Sequence, residues 1–96
     1  MNINTEQLRS LLGSEEAAQK FVILFRQQLP GQLEALRQAL VEQDWASAGI
    51  VAHGLKSQCR YLGLDVAADT LQKVENDPSA ILNDELKTMH AMLEHI

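Results

Sequence analysis

The chain has 96 residues, enough for one domain around one core, and 46% of them are hydrophobic, an ordinary fraction for a folded globular protein. A formal net charge of −5 argues against nonspecific nucleic-acid binding, which depends on Lys and Arg meeting phosphates. The single cysteine, Cys59, excludes an internal disulfide, the amino terminus lacks the basic and apolar regions of a signal peptide, and the longest apolar run, Phe21 to Phe25, is too short for a membrane span. The expectation is one domain over residues 1–96, cytoplasmic and not membrane-bound, and free-standing from Met1.

A short first helix is predicted from near Thr5 to Leu12. Asn4 or Thr5 caps it, Asn4 with Gln7 resembling a capping box, and Leu8, Leu11 and Leu12 form its apolar side. Gly13 stops it, and Ser14 is the next cap, followed by Glu15 and Glu16 at the positive end of a helix. The second helix carries Phe21, Leu24, Phe25, Leu29, Leu33, Leu36 and Leu40 on one broad stripe. Pro30-Gly31 interrupts it, yet the stripe stays in phase across the proline, which predicts one long kinked helix. Ile23 falls on the opposite side, either as a stray surface residue or as part of a docking patch.

Asp44 is the expected cap of a third helix that ends near Gly63, with Ala48, Val51, Ala52, Leu55, Cys59 and Leu62 on its inner stripe. Cys59 reads as a buried small hydrophobe. A fourth helix starts at about Asp65, with Val66 or Ala67, Ala68, Leu71 and Val74 inward, and Asp77-Pro78 ends it. The last helix begins near Ser79 or Asn83 and turns Leu82, Leu86, Met89 and Leu93 inward. No β-type alternation, repeat or low-complexity tract is present. Amphipathic helices with short connections predict an all-α, antiparallel four-helix bundle, with the short additional N-terminal helix as a lid.

His53 lies almost opposite the apolar stripe of the third helix. Gly49, Lys56, Ser57 and Arg60 share its face at helical spacing. Between Asp44 and Asp65 the only formal charges are Lys56 and Arg60, so an acidic chain places a basic patch around His53. An accessible, uncrowded histidine near positive charge is suited to carrying an anion. In an arbitrary helix an exposed histidine would mean nothing, and Lys56 and Arg60 alone would read as solvated side chains.

The segment His53-Gly54-Leu55-Lys56-Ser57-Gln58-Cys59-Arg60-Tyr61-Leu62-Gly63 resembles the histidine-containing phosphotransfer (HPt) motif of bacterial two-component phosphorelays, H-x-L-K-G followed by small residues and a final L-G. Ala52, Asp44, and Leu71 with Glu75 in the next helix fit the same family. Ser57 and Gln58 depart from it, standing where glycine and a small residue are usual. The resemblance implies a phosphocarrier that takes a phosphoryl group on His53 from a receiver-domain aspartate and passes it to another. Lys56, one turn along, would neutralise phosphoryl oxygens; Arg60 would do so less directly or contact the partner. Gly49, Gly54 and Ser57 would leave room for a receiver's active site. Ile50, and more weakly Ile23, would supply apolar docking contacts. The implied partners are the receiver domains of a hybrid sensor kinase and of a response regulator. Such a receiver brings its own aspartate and Mg²⁺, so a monomeric carrier with no cofactor of its own is expected.

Nothing else in the chain suggests chemistry. It has no Gly-rich phosphate loop and no nucleotide-binding or serine-hydrolase signature, so it is not expected to be an enzyme or to phosphorylate itself. His90 and His95 are five apart, the wrong spacing for metal ligands on one helical face, and a fraying, solvated terminus accounts for both. Two rivals remain. One is a helical module that docks on receiver or kinase domains without being phosphorylated; the other is a structural or metal-binding bundle, against which the absence of inward Glu-x-x-His motifs argues.

Overall fold

The computed structural model describes residue 3 and residues 5–95. Among them are five α-helices and no strand: α1 Thr5–Leu12, α2 Glu15–Val41, α3 Trp45–Tyr61, α4 Asp65–Asn76 and α5 Asn83–Glu94, with a 3-10 turn at Pro78–Ala80. The chain forms the expected all-α bundle, with α1 as the short additional helix. No helix among the described residues is long and apolar enough to cross a membrane.

Local chemistry sets the helix starts. Ser14 Oγ accepts the Ala17 N–H at 3.1 Å, and Asp44 accepts both the Ser47 N–H at 3.2 Å and the Ser47 hydroxyl at 2.6 Å. These bonds satisfy amides that the helix itself leaves unpaired. The Ser47 bonds also hold the Asp44 carboxyl below its usual range. Of the two proposed first caps, Asn4 lies outside the described residues, and Thr5 is the first residue of α1.

Pro30 sits inside α2 without ending it. A helix-interior proline costs about 3 kcal/mol through its missing amide and its ring. Downstream of it, Leu33 and Leu36 are buried on the same face as Phe25 and Leu29. Burying each leucine contributes about 1.5–3 kcal/mol, so the apolar stripe outweighs the proline. At 27 residues α2 is about 40 Å long. That length sets the longest dimension of the molecule, 40 Å against 20 Å in the other two.

Small side chains are buried in the core on both α3 and α4. Ala48, Ala52 and Cys59 from α3 and Ala67 and Ala68 from α4 are all fully buried, with Leu55, Leu62, Leu64, Leu71 and Val74 around them. Alanine at such a seam lets two helix backbones approach closely. Burial pushes the Cys59 thiol up to about 12, so it stays protonated and inert. Phe21 of α2 meets Tyr61 of α3 edge-on, ring centroids 6.2 Å apart, which fixes the N-terminal half of α2 beside the C-terminal end of α3.

The core departs from the expected stripes at their ends. Leu11 and Leu12 are exposed, because a two-turn helix lying on α2 buries only Leu8. Leu24 is exposed; rotated 100° from buried Phe25, it falls at the solvent edge of the stripe. Ala18 and Ala39 take inner positions that a search for large apolar residues passes over. On α4 the inward residue is Ala67, and Val66 is exposed. Leu82 is exposed because it precedes α5 in extended conformation, outside the helical stripe. An apolar groove of about 520 Å³ separates α5 from the C-terminal half of α2, lined by Leu36, Leu40, Val41 and Leu86 among others, and it shares no residue with the surroundings of His53.

The turns after α2 and α3 both need a left-handed residue. After α3 it is Gly63, at φ 73, while Leu64 N–H bonds the Cys59 carbonyl at 2.8 Å. After α2 it is Gln43, at φ 57, while Asp44 N–H bonds the Ala39 carbonyl at 2.8 Å. Glutamine adopts this backbone less readily than glycine. Gln43→Gly is therefore expected to raise stability by roughly 0.5–1 kcal/mol, measured by urea unfolding. A loss of stability would show that the Gln43 side chain contributes more than its backbone strain removes.

Candidate functional site

His53 stands near the middle of α3 on its outer face, with its side chain 64% exposed. Its Nδ1 lies 2.8 Å from Oε1 of Glu75 on α4. The other carboxylate oxygen, Oε2, accepts a hydrogen bond from Lys56 Nζ at 2.6 Å. Lys56 Nζ also donates to Gln72 Oε1 at 2.9 Å, and Gln72 Nε2 donates to Asn76 Oδ1 at 2.8 Å. One carboxylate from α4 thus joins the histidine and the lysine of α3.

The hydrogen bond fixes the tautomer. A carboxylate oxygen only accepts, so the Nδ1 facing it carries the proton. In the neutral ring the free lone pair then resides on Nε2, which has no hydrogen-bond partner among the described residues. Such a nitrogen is a nucleophile, and the carboxylate behind the ring favours the positive charge that grows there as Nε2 attacks an electrophile.

The expected basic patch is not a patch of free cations. Lys56 is only 15% exposed and is tied to Glu75. Arg60 pairs with Asp69 at 3.2 Å and approaches Asp65 at 3.9 Å. All three acids come from α4, so a charge count along α3 misses them. Ser57 is half-buried, and its hydroxyl donates to the His53 carbonyl at 3.1 Å, which turns its oxygen along the helix.

Gly49 and Gly54 lie inside α3. A Cβ added at either meets no atom within 4 Å, so the packing of the chain does not require glycine there. Each nevertheless costs the helix about 1 kcal/mol relative to alanine. Gly49 lies in a shallow hollow of about 570 Å³, which is lined by Trp45, Ala46, Gly49, Ile50, His53, Glu75 and Pro78. Ile50 is 74% exposed. Ile23 is exposed too, but it lines a separate groove between α1 and α2, with Thr5, Arg9 and Arg26.

The structure therefore brings His53, Lys56, Gly49 and Ile50 together, keeps Ser57 and Gly54 beside them, ties Arg60 to α4 and sets Ile23 apart. Spacing along α3 gave no sign of Gln72, Trp45 or Pro78. Glu75 was visible only as a position shared with a family, not as the partner of His53. His90 is half-buried within α5, against the expectation of a fraying end, whereas His95 follows the helix. Among the described residues no group of three His, Cys, Asp or Glu side chains is placed to hold a metal ion.

The Glu75 carboxyl is held below its usual range, first by the hydrogen bond from Lys56 and then by that from His53. A pKa lowered by folding adds stability above the ordinary glutamate range, and that stability is lost as pH falls through the lowered value. In an acid titration followed by NMR at its carboxyl carbon, Glu75 should titrate below an unstructured glutamate, and Lys56→Met should move its midpoint upward. A wild-type midpoint at or above the ordinary value would contradict the pairing.

The profile of the Hpt domain family matches residues 20–96, which include all of α3, α4 and α5 and most of α2. No curated protein and no solved structure matches the chain. The match covers His53, Lys56 and Glu75 together, and the all-helical fold agrees with it. The chain belongs to the Hpt domain family, whose members take part in histidine phosphotransfer in two-component phosphorelays and interact with receiver domains.

Proposed function

We propose that this chain is a phosphocarrier in which His53 accepts a phosphoryl group from a receiver-domain aspartate and passes it to the aspartate of a second receiver. The observation that carries this reading is the Nδ1–Glu75 contact at 2.8 Å, which leaves Nε2 as the open, nucleophilic nitrogen.

In the transfer, the Nε2–P bond forms as the P–O bond to the aspartate breaks, and the electron pair returns to the aspartate carboxylate. No proton has to move. The ring keeps its proton on Nδ1, and Glu75 offsets the positive charge that the imidazole gains. Phosphoryl transfer asks chiefly for in-line positioning and charge stabilisation, and a rigid helix face supplies the first. Lys56 holds Glu75 in place and lies one turn from His53, near enough for its ammonium to favour a phosphoryl dianion. Because the aspartyl phosphate and the phosphohistidine are both reactive donors, the step runs in either direction. The receiver brings the Mg²⁺; the carrier itself uses no cofactor and does not phosphorylate itself.

The test is to mix the protein with phosphorylated receiver domains and assay it for acid-labile phosphate. Wild type should become labelled. His53→Gln should not, while keeping its helical content and melting temperature, as exposed substitutions usually do. Lys56→Ala should still accept phosphate, but more slowly, by roughly tenfold for the loss of about 1–1.5 kcal/mol of charge stabilisation. Labelling of His53→Gln at the wild-type rate would overturn the assignment. A wild-type protein that binds receivers yet stays unlabelled would instead be a docking module without chemistry.

A further inference from the structure

The Lys56 ammonium is held by more than its ion pair. Its side chain is 15% exposed, and two of its three N–H groups are committed, one to Glu75 Oε2 at 2.6 Å and one to Gln72 Oε1 at 2.9 Å. The two acceptors stand one turn apart on α4, so they reach the ammonium from the same face of that helix. Gln72 Nε2 donates in turn to Asn76 Oδ1 at 2.8 Å, a further turn along. An ammonium only donates, so the carbonyl end of the Gln72 amide must face Lys56, and Asn76 takes up the end that is left.

Glu75 serves His53 as well as Lys56. With Glu75 as the sole anchor, the flexible stem of Lys56 would let the ammonium pivot about Oε2 and sample many rotamers. A second acceptor, fixed at its other end by Asn76, stops that pivoting. Being neutral, Gln72 holds the ammonium without cancelling its charge.

We propose that Gln72 is a positioning residue for phosphoryl transfer at His53, holding the Lys56 ammonium against Glu75 with its one remaining N–H free for the phosphoryl oxygens. The proposal rests on the phosphocarrier reading. Gln72 acts through Lys56 and not on the reacting atoms, so its contribution to the rate is bounded by that of Lys56 and vanishes without it. Transfer depends on accurate placement of the groups that meet the phosphoryl charge, which is why a side chain one step removed affects the rate.

Single-turnover transfer can be measured with the phosphorylated receiver domain that labels the wild-type protein, over a range of receiver concentrations. Gln72→Met keeps an unbranched side chain of similar helix propensity and removes the acceptor. It should lower the rate at saturating receiver by roughly fivefold, less than Lys56→Met does, because misplacing a charge costs less than deleting it. The half-saturating receiver concentration and the melting temperature should stay as in wild type, which separates positioning from docking and from folding. In a Lys56→Met background, Gln72→Met should change the rate by less than about 1.5-fold, since the residue it acts through is gone. An undiminished rate in Gln72→Met, a loss confined to the half-saturating concentration, or an equal loss with and without Lys56 overturns the positioning role and leaves the carrier reading intact. If no phosphorylated receiver labels wild type, both fall.

Discussion

A single carboxylate, that of Glu75, joins the histidine and the lysine of the candidate site. One of its oxygens faces His53 Nδ1 and the other faces Lys56 Nζ. That arrangement requires α3 and α4 to lie close together and in one register. Small buried side chains on both helices, Ala48, Ala52 and Cys59 on α3 and Ala67 and Ala68 on α4, allow the closeness, and the surrounding Leu55, Leu71 and Val74 are buried with them. Bulkier residues along that seam would move Glu75 out of hydrogen-bonding range while leaving both helices intact. The hydrogen bonding of an exposed histidine thus depends on the packing of a wholly apolar core beneath it.

The same network contributes more to positioning than to stability. Among the described residues the buried core contains no polar or charged side chain, so the His53–Glu75–Lys56 group sits on its rim. Exposed ion pairs contribute little, typically below about 1 kcal/mol. Lys56 is the most shielded member, held by Glu75 and Gln72 together. Two anchors on one ammonium restrict a side chain that would otherwise sample many rotamers. The outer face of α3 is consequently rigid on the Glu75 side and open around Gly49, Ile50 and Gly54. A surface of that kind suits a reaction in which the incoming group must be placed accurately and the protein supplies little else.

Much of the fold was legible because it follows from local rules. Ser14 and Asp44 cap helices as their side-chain oxygens allow, and the stripe through Leu29, Leu33 and Leu36 carried α2 across Pro30. Errors gathered where burial depends on what lies opposite. Leu11, Leu12, Leu24 and Leu82 are apolar and near the expected faces, yet no neighbour covers them. His53 was legible as a candidate from its position opposite the stripe of α3. The electrostatics around it were not, because Asp65, Asp69 and Glu75 approach from another helix and turn an apparent basic patch into a set of pairs. Ile23 was ambiguous on sequence for a related reason: rotation about a helix says which way a residue points, not whether that side meets His53 or α1.

The position of the phosphoryl group on the ring tests this account most directly. Long-range ¹H–¹⁵N NMR of the phosphorylated protein distinguishes the two ring nitrogens of His53. The account predicts phosphate on Nε2, with Nδ1 protonated and still hydrogen-bonded to Glu75. Phosphate on Nδ1, or on any residue other than His53, would contradict it.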